Sequence, residues 1–220
     1  MGKISKYPAA TEVTDADIMV IVQGNKTKKV TLDILKSYIT APPAISEITV
    51  NVASSGTVCG TFFLWDGGGL DTSAACLGFV GTHAAGSFVR FPALYVPKGA
   101  TILSAIPKWK SMYDSDTDVV NVNLHFNNAD NPEAPTGVGQ ANALALTDVV
   151  PWNAVSHWVS NNIYEGPDLK VILQAIIDRD GWVSGNSVQL VARDNASTWG
   201  AASRYGAGNR YFDIQVTYRT

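Results

Sequence analysis

The fold class of this chain is decided by the stretch Val120-Asn121-Val122-Asn123-Leu124-His125-Phe126. Apolar residues occupy every second position, and polar residues, His125 among them, occupy the positions between. Successive side chains of a β-strand point to opposite faces of a sheet, so the apolar side chains share one face and His125 lies on the other. The stretch is therefore predicted to be a strand with one apolar face.

Strand patterns recur from about residue 45 to the end of the chain. Further strands are predicted at residues 48–52, 62–65, 88–91, 187–192 and 211–218. Two stretches interrupt them. A glycine-rich stretch from Asp66 to Gly86 is predicted to be a long loop with little regular structure, and residues 127–139, rich in Asn, Pro and Gly, are predicted to be a polar loop.

One amphipathic helix is predicted among these strands. Pro167 suits the first helical position, where a missing N–H group costs nothing, and Gly181 suits the helix end. Between them, apolar residues recur at the spacing of one helix face. They are Leu169, Ile172, Leu173, Ile176 and Ile177. The helix is expected to cover one end or edge of a sheet.

Residues 1–41 form a separate unit in the sequence. Apolar residues 18–22, the turn residues Gly24-Asn25 and residues 28–30 predict a β-hairpin, and Thr31 is a suitable cap for a following helix. A unit of this size buries too little surface to be stable alone, so its apolar face needs a partner. Residues 42–46 are a proline-containing linker, and residues 47–220 are one domain.

The composition restricts the class of function. Hydrophobic residues make up 46% of the 220 residues and charged residues 16%, enough apolar material for a real core. The formal net charge is -3, whereas nucleic-acid-binding proteins usually carry a basic face. No stretch is long and apolar enough to predict a transmembrane helix or a signal peptide. We therefore expect no nucleic-acid partner, no membrane insertion, and synthesis in the cytoplasm.

No catalytic or metal-binding pattern is present, so no catalytic residue, metal or cofactor is predicted. The carboxylates Asp66, Asp71, Glu133 and Glu165 show no spacing that selects a catalytic pair. Residues 114–118 begin like a calcium-binding EF-hand loop but lack its later glycine and glutamate, which favours a solvated turn, with a surface calcium ion as the alternative. Cys59 and Cys76 are expected to be buried free thiols, and a single disulfide between them is the alternative.

The N-terminal unit resembles the N-terminal segment of many bacteriophage fibre, spike and appendage proteins. The resemblance covers residues 4–11, 15–24 and 27–38, with the pattern I-S-x-x-P-A-A-T, then D-x-D before an apolar strand, then T-K-K-V-T-L-x-x-L-K. It implies attachment to a phage particle, often around a threefold axis, with other phage structural proteins as partners. The residues implied at the anchoring interface are Ile4, Tyr7, Pro8, Ile18, Val20, Val22, Leu32 and Leu35.

The second domain is similar to a jelly-roll-like β-sandwich found in phage and bacterial surface proteins. The similarity rests on residues 96–102, 128–132, 150–152, 176–182 and 212–218. Here the helix end reads Asp178-Arg179-Asp180-Gly181-Trp182, a modest departure from the family pattern N-R-x-G-W. The two resemblances together imply a non-enzymatic structural protein of the virion, a homotrimer assembled in the host cytoplasm. Head, neck and tail locations all remain open.

A polar loop near the C-terminus suggests an alternative function. Arg193, Asp194, Asn195 and Trp199 combine an aromatic ring with polar groups, the usual means of binding a sugar. This predicts a carbohydrate-binding, receptor-recognition module with a host-surface glycan as ligand. Packing of Trp199 against a neighbouring subunit explains the same residues equally well. A glycan depolymerase is the least favoured alternative, because it would need a pair of carboxylates facing one cleft.

Overall fold

The computed structural model describes residues 18–23, 26–31, 47–53, 59–64, 68–112, 114, 119–155, 157–198 and 205–220. The chain divides into two compact units, Met1–Ile45 and Ser46–Thr220. In the first unit, β1 (Ile18–Gln23) and β2 (Lys26–Thr31) pair as an antiparallel hairpin with Gln23 opposite Lys26. The predicted hairpin strands are confirmed, and the helix predicted after Thr31 lies outside the described residues.

The second unit is mainly β. Its strands are β3 (Ile48–Ala53), β4 (Cys59–Phe63), β5 (Leu70–Asp71), β6 (Ala74–Leu77), β7 (Phe79–Val80), β8 (His83–Phe91), β9 (Thr101–Ser111), β10 (Val120–Phe126), β11 (Val150–Val155), β12 (Ile163–Glu165), β13 (Val188–Asp194) and β14 (Tyr205–Arg219). Its helices are α1 (Val138–Asn142) and α2 (Lys170–Ile177).

These strands form two antiparallel sheets. The first sheet has the order β11-β10-β13-β8-β4-β5, with β7 paired to β8. The second has the order β12-β9-β14-β3, with β6 paired to β14. One hydrophobic core takes side chains from both sheets, for example Leu124 and Leu190 from the first and Trp109 and Val216 from the second. Two sheets facing each other across one core make a β-sandwich, as the sequence predicts.

The stretch from Val120 to Phe126 behaves as its alternation predicts. The apolar side chains of Val120, Val122, Leu124 and Phe126 are fully buried in the main core. Asn121, Asn123 and His125 are half-buried and therefore lie on the outer face of the first sheet.

A second, smaller core covers part of that outer face. Phe62, Phe88 and Val191 project from the sheet and pack against Ala141 of α1. The two aromatic rings rest on glycines of the neighbouring strand, because a Cβ atom at Gly86 would lie 2.4 Å from the Phe62 ring. Because glycine has no side chain, the two rings can pack directly against the neighbouring strand. Both faces of the first sheet are therefore buried in this region.

Three predictions of local structure differ from the structure, in whole or in part. The glycine-rich stretch after Asp66 contains β5, β6, β7 and the start of β8, because short strands extend both sheets there. The polar loop predicted at residues 127–139 is confirmed as far as residue 137, but α1 begins at Val138, so the described residues contain a second helix besides the predicted one. The predicted helix begins at Lys170 and not at Pro167, because Gly166 and Leu169 donate backbone hydrogen bonds to the edge of β9 instead, and it ends at Ile177, before the predicted Gly181.

α2 closes an edge of the second sheet, as predicted. The Gln174 side chain accepts the N–H of Ile102 at 2.7 Å and donates to the carbonyl of Ala100 at 3.0 Å. Asp168 accepts the N–H of Ala105 at 2.8 Å. These side chains form hydrogen bonds with backbone groups at and just before the start of β9, where β12 does not reach. A strand edge left without hydrogen-bond partners could associate with strands of other molecules.

The chain enters the sandwich at one particular end. Ile48, at the start of β3, lies opposite Tyr218 near the end of β14, and Tyr218 lies opposite Ile102 near the start of β9. The Tyr218 hydroxyl donates to the Tyr95 carbonyl at 3.4 Å, so the connection between β8 and β9 lies here too. We call this the proximal end.

The opposite, distal end carries a different set of connections. Thr198, which follows β13, donates its N–H to the carbonyl of Val119, which precedes β10. Ser160 donates its hydroxyl to the carbonyl of Met112, which follows β9. The polar loop after Arg193 is therefore part of the distal end.

Candidate functional site

The loop that follows β13 holds the residues predicted to contact a glycan. Asn195 is exposed, and its N–H donates to the carbonyl of Asn121 at 2.8 Å. Asp194 is half-buried, and one of its carboxylate oxygens accepts the N–H of Ser197 at 3.3 Å. Trp199 lies outside the described residues. Asp194 and Asn195 thus belong to one continuous turn at the distal end.

This turn is fixed tightly to the start of β10. The Ser197 hydroxyl accepts the N–H of Asn121 at 2.9 Å and donates to its carbonyl at 3.0 Å. Thr198 accepts the N–H of Val119 at 3.0 Å. Ala196, immediately before Ser197, adopts a φ of 54°, a left-handed conformation that costs a residue with a Cβ atom about 1–2 kcal/mol. Such strain persists only where the surroundings impose it, and it occurs often at ligand-binding sites.

Arg193 is part of the fold as well as of the candidate site. Its guanidinium group lies 6.0 Å from the centre of the Phe62 ring, and its Nη2 donates to the carbonyl of Asn142 at the end of α1 at 2.9 Å. Burial lowers the pKa of the guanidinium. Arg193 therefore faces the outer face of the first sheet, beside the second core, whereas Asp194 turns into the distal loop.

Most of the described tryptophans pack inside the domain and are unsuited to sugar stacking. Trp109 and Trp158 are at most 2% exposed, and Trp152 lies between them at 5.1 and 6.0 Å. The Trp158 ring stacks on Tyr164 at 4.8 Å with an interplanar angle of 5°. Trp182 is buried and donates its indole N–H to the Val96 carbonyl, as its core-like sequence context predicts. Trp65 lies outside the described residues.

Three motifs of the jelly-roll resemblance, at residues 96–102, 128–132 and 176–182, meet at the proximal end. Arg179 Nε donates to the Asp130 carboxylate at 2.8 Å, and Arg179 Nη1 donates to the side-chain oxygen of Asn128. The hydrogen bond from Arg179 lowers the pKa of Asp130. Lys98 donates to the Asp180 carbonyl at 2.7 Å. These hydrogen bonds connect three loops to one another. The motif residues therefore have a structural role at the proximal end.

The carboxylates considered for catalysis are each engaged with a different neighbour. Glu133 lies 3.5 Å from Arg90, and Glu165 lies 3.0 Å from Lys108. Asp71 accepts hydrogen bonds from Ser73, which lower its pKa. Asp66 lies outside the described residues. Each of the three described carboxylates thus contacts a different residue, and the contacts do not join any two of them into a pair.

Metal ligands and thiols are the remaining reactive groups. Among the described residues, no group of three His, Cys, Asp or Glu side chains is placed to hold a metal ion. Asp114 accepts the N–H of Ser160 at 2.8 Å, while residues 115–118 lie outside the described part. Cys59 and Cys76 are not joined in a disulfide; Cys59 is buried, as predicted, whereas Cys76 is only half-buried. Burial raises the pKa of Cys59 to about 11, which keeps it protonated and a poor nucleophile.

The anchoring residues fall largely outside the described part of the chain. Ile18, Val20 and Val22 lie in β1, opposite Thr31, Lys29 and Thr27 of β2. The other five lie outside the described residues: Ile4, Tyr7, Pro8, Leu32 and Leu35. None of the described helices is long and apolar enough to cross a membrane.

No protein-family model matches the sequence, and no curated protein matches it significantly. The function is therefore inferred from the residues and the geometry described above.

Proposed function

We propose that this chain is a non-enzymatic structural protein of a bacteriophage particle, either a head fibre or decoration protein or a tail appendage. Its N-terminal unit anchors it to other phage proteins, and its β-sandwich is presented outward for host-surface adhesion. The sequence pattern of residues 4–38 supports the anchoring role. The hairpin of β1 and β2 occurs where that pattern has its apolar strand and its T-K-K-V segment.

The strand order supports the finer assignment of the sandwich as a jelly roll. Four antiparallel pairs are nested along the chain: β3 with β14, β8 with β13, β9 with β12, and β10 with β11. The first of these eight strands thus pairs with the last, and the innermost two pair with each other. Nested pairing across two sheets is typical of jelly rolls, an architecture shared by viral capsid proteins and lectins.

The strongest support for outward presentation of the sandwich is the place where the chain enters it. The polypeptide enters the sandwich at the proximal end, at Glu47, while the loop from Asp194 to Thr198 lies at the distal end. β9 connects the two ends with 11 residues, which corresponds to about 35 Å at the rise of an extended strand. A domain held through its N-terminal side would therefore present the polar loop away from its attachment.

Carbohydrate recognition through that loop is the second candidate. It is favoured by the strained φ of Ala196 and by the hydrogen bonds that Ser197 and Thr198 make to the start of β10. A loop fixed before binding loses little conformational entropy when a ligand arrives. In this alternative Trp199 supplies the stacking ring, and its replacement by alanine abolishes glycan binding.

Two measurements test the structural proposal. Mass spectrometry of particles purified on a density gradient is expected to find the chain in a fixed ratio to the major capsid protein. Its absence from particles would exclude a virion role. Light scattering of the purified full-length chain at micromolar concentration is expected to give the mass of a trimer, and Val20→Asp in the anchoring strand is expected to weaken it. A monomeric full-length chain would contradict the proposed trimer.

A further inference from the structure

A row of polar side chains crosses the outer face of the first sheet beside the second core. Asn123 and His125 of β10 are half-buried on this face, and Arg193 of β13 lies directly opposite Asn123. We call these three residues the outer polar row. Opposite residues of an antiparallel pair have Cβ atoms about 5 Å apart, and residues two apart on one strand are separated by about 7 Å. The expected spacing of the three Cβ positions is therefore comparable to the width of one pyranose ring.

Arg193 is a half-buried cation with unused bonding capacity. Its Nη2 donates to the neutral carbonyl of Asn142, while its Nε is shielded from solvent and has no hydrogen-bond partner among the described residues. None of the salt bridges between described residues involves Arg193. Removal from water, without compensation by a nearby carboxylate, is what lowers the pKa of this guanidinium.

An arginine in such surroundings is poorly stabilised by the protein itself. Charged side chains are rarely buried without a partner, because desolvation costs free energy that an opposite charge would return. The position of the group is nevertheless fixed by the Phe62 ring on one side and by the end of α1 on another. A guanidinium that is fixed in position, half-buried and without a carboxylate partner among the described residues is suited to receive an anionic ligand, to which its two terminal nitrogens can donate paired hydrogen bonds.

The neighbouring residues indicate which anion. His125 Nδ1 lies 3.0 Å from the carbonyl of Thr147. A carbonyl can only accept, so Nδ1 carries the proton and Nε2 of the neutral ring is left as an acceptor. The Asn123 carboxamide offers both a donor and an acceptor. The amide N–H of Asn123 beside a cation suits a carboxylate, and the acceptor on His125 suits a hydroxyl group of the same ligand.

We propose that the outer polar row binds an acidic sugar, with Arg193 and Asn123 holding its carboxylate and His125 accepting a hydroxyl. This site differs from the Trp199 loop, since it lies on the sheet face and needs no residue beyond Arg193. This proposal rests on the proposed function in one respect only, which is that the sugar belongs to the host surface. The chemistry of binding is independent of the location of the protein.

Calorimetric titration of the full-length chain tests the site. Glucuronate is expected to bind, and glucose and sulfate are expected to bind at least about tenfold more weakly, because each lacks one half of the recognised chemistry. Asn123→Ala is expected to weaken glucuronate binding about tenfold, and Arg193→Lys by more, since lysine lacks the planar fork. Asn162→Ala, at an exposed position on the distal end, is the matched control and should leave the affinity unchanged.

The outcomes separate the possible readings. Equal binding of sulfate and glucuronate would show a simple anion site and overturn the assignment to a sugar. Unchanged affinity in both Asn123→Ala and Arg193→Lys, with normal thermal unfolding, would overturn the site. No binding of glucuronate to the wild-type chain would also overturn it. None of these results bears on whether the chain is found in particles, so the virion proposal stands or fails separately.

Discussion

Replacing Gly86 with alanine tests how the second core is built. The added Cβ atom would lie 2.4 Å from two carbons of the Phe62 ring, far inside van der Waals contact. The ring must therefore leave its place on the sheet, where it packs in the second core and lies 6.0 Å from Arg193. Overpacking of this kind costs about 1–3 kcal/mol. For a domain of this size the melting temperature should fall by roughly 2–4 °C for each kcal/mol lost.

The control is a glycine with open space around it. Gly139 lies in α1, and a Cβ atom added there would have no neighbouring atom within 4 Å, so Gly139→Ala should stabilise the protein by up to about 1 kcal/mol. Differential scanning calorimetry of both variants measures the contrast. The double variant Gly86→Ala with Phe62→Leu should lose less stability than the two single changes together, since the smaller side chain removes the clash. Additive losses, or a Gly86→Ala variant as stable as the wild type, would refute this packing.

Three other perturbations have defined outcomes. Gln174→Ala leaves the N–H of Ile102 without its partner and should lower the free energy of unfolding by about 1–3 kcal/mol in urea titration; a loss below about 0.5 kcal/mol would mean that the edge of β9 needs no such closure. Ala196→Gly relieves the left-handed strain and should stabilise by up to about 1 kcal/mol in the same assay, whereas a clear loss would show that the strain is absent. Arg179 donates a hydrogen bond to Asp130 and lowers the pKa of its carboxyl group. The stability that this bond contributes is therefore fully present above the ordinary carboxyl pKa of about 4, and it is lost as the pH falls through the lowered pKa. Asp130→Asn should therefore reduce stability at pH 7 by at most about 1 kcal/mol, since the pair is half-exposed, and have little effect near pH 2; an equal loss at both pH values would contradict this linkage.

The sequence predicts those parts of the fold that depend on local periodicity. The alternation from Val120 to Phe126 and the helical spacing from Leu169 to Ile177 each correspond to an element with a buried apolar face. The start of α2 cannot be read from Pro167, because backbone bonds to β9, a tertiary feature, hold residues 166–169 outside the helix. The strands near Gly78 escape prediction for a similar reason, since they are too short to show a period and form only by pairing with longer strands.

The candidate site is predictable only in part. Arg193, Asp194 and Asn195 stand together in the sequence, and their composition alone suggests a ligand. The structure separates them, with Arg193 on the sheet face and the other two in the distal turn. The pairing of Arg193 with Asn123 depends on strand register across 70 residues of chain, which periodicity does not encode. The only signal in the sequence is that polar residues fill the alternate positions of β10.

Immunogold electron microscopy of phage particles, with an antibody raised against residues 47–220, tests the central claim most directly. Label on the capsid is expected for a head fibre or decoration protein, and label on the tail for an appendage that contacts the host. Either pattern supports a virion protein that presents its sandwich outward. Intact particles that contain the chain but bind no antibody would show that the sandwich is not presented, and particles without the chain would contradict the proposed function altogether.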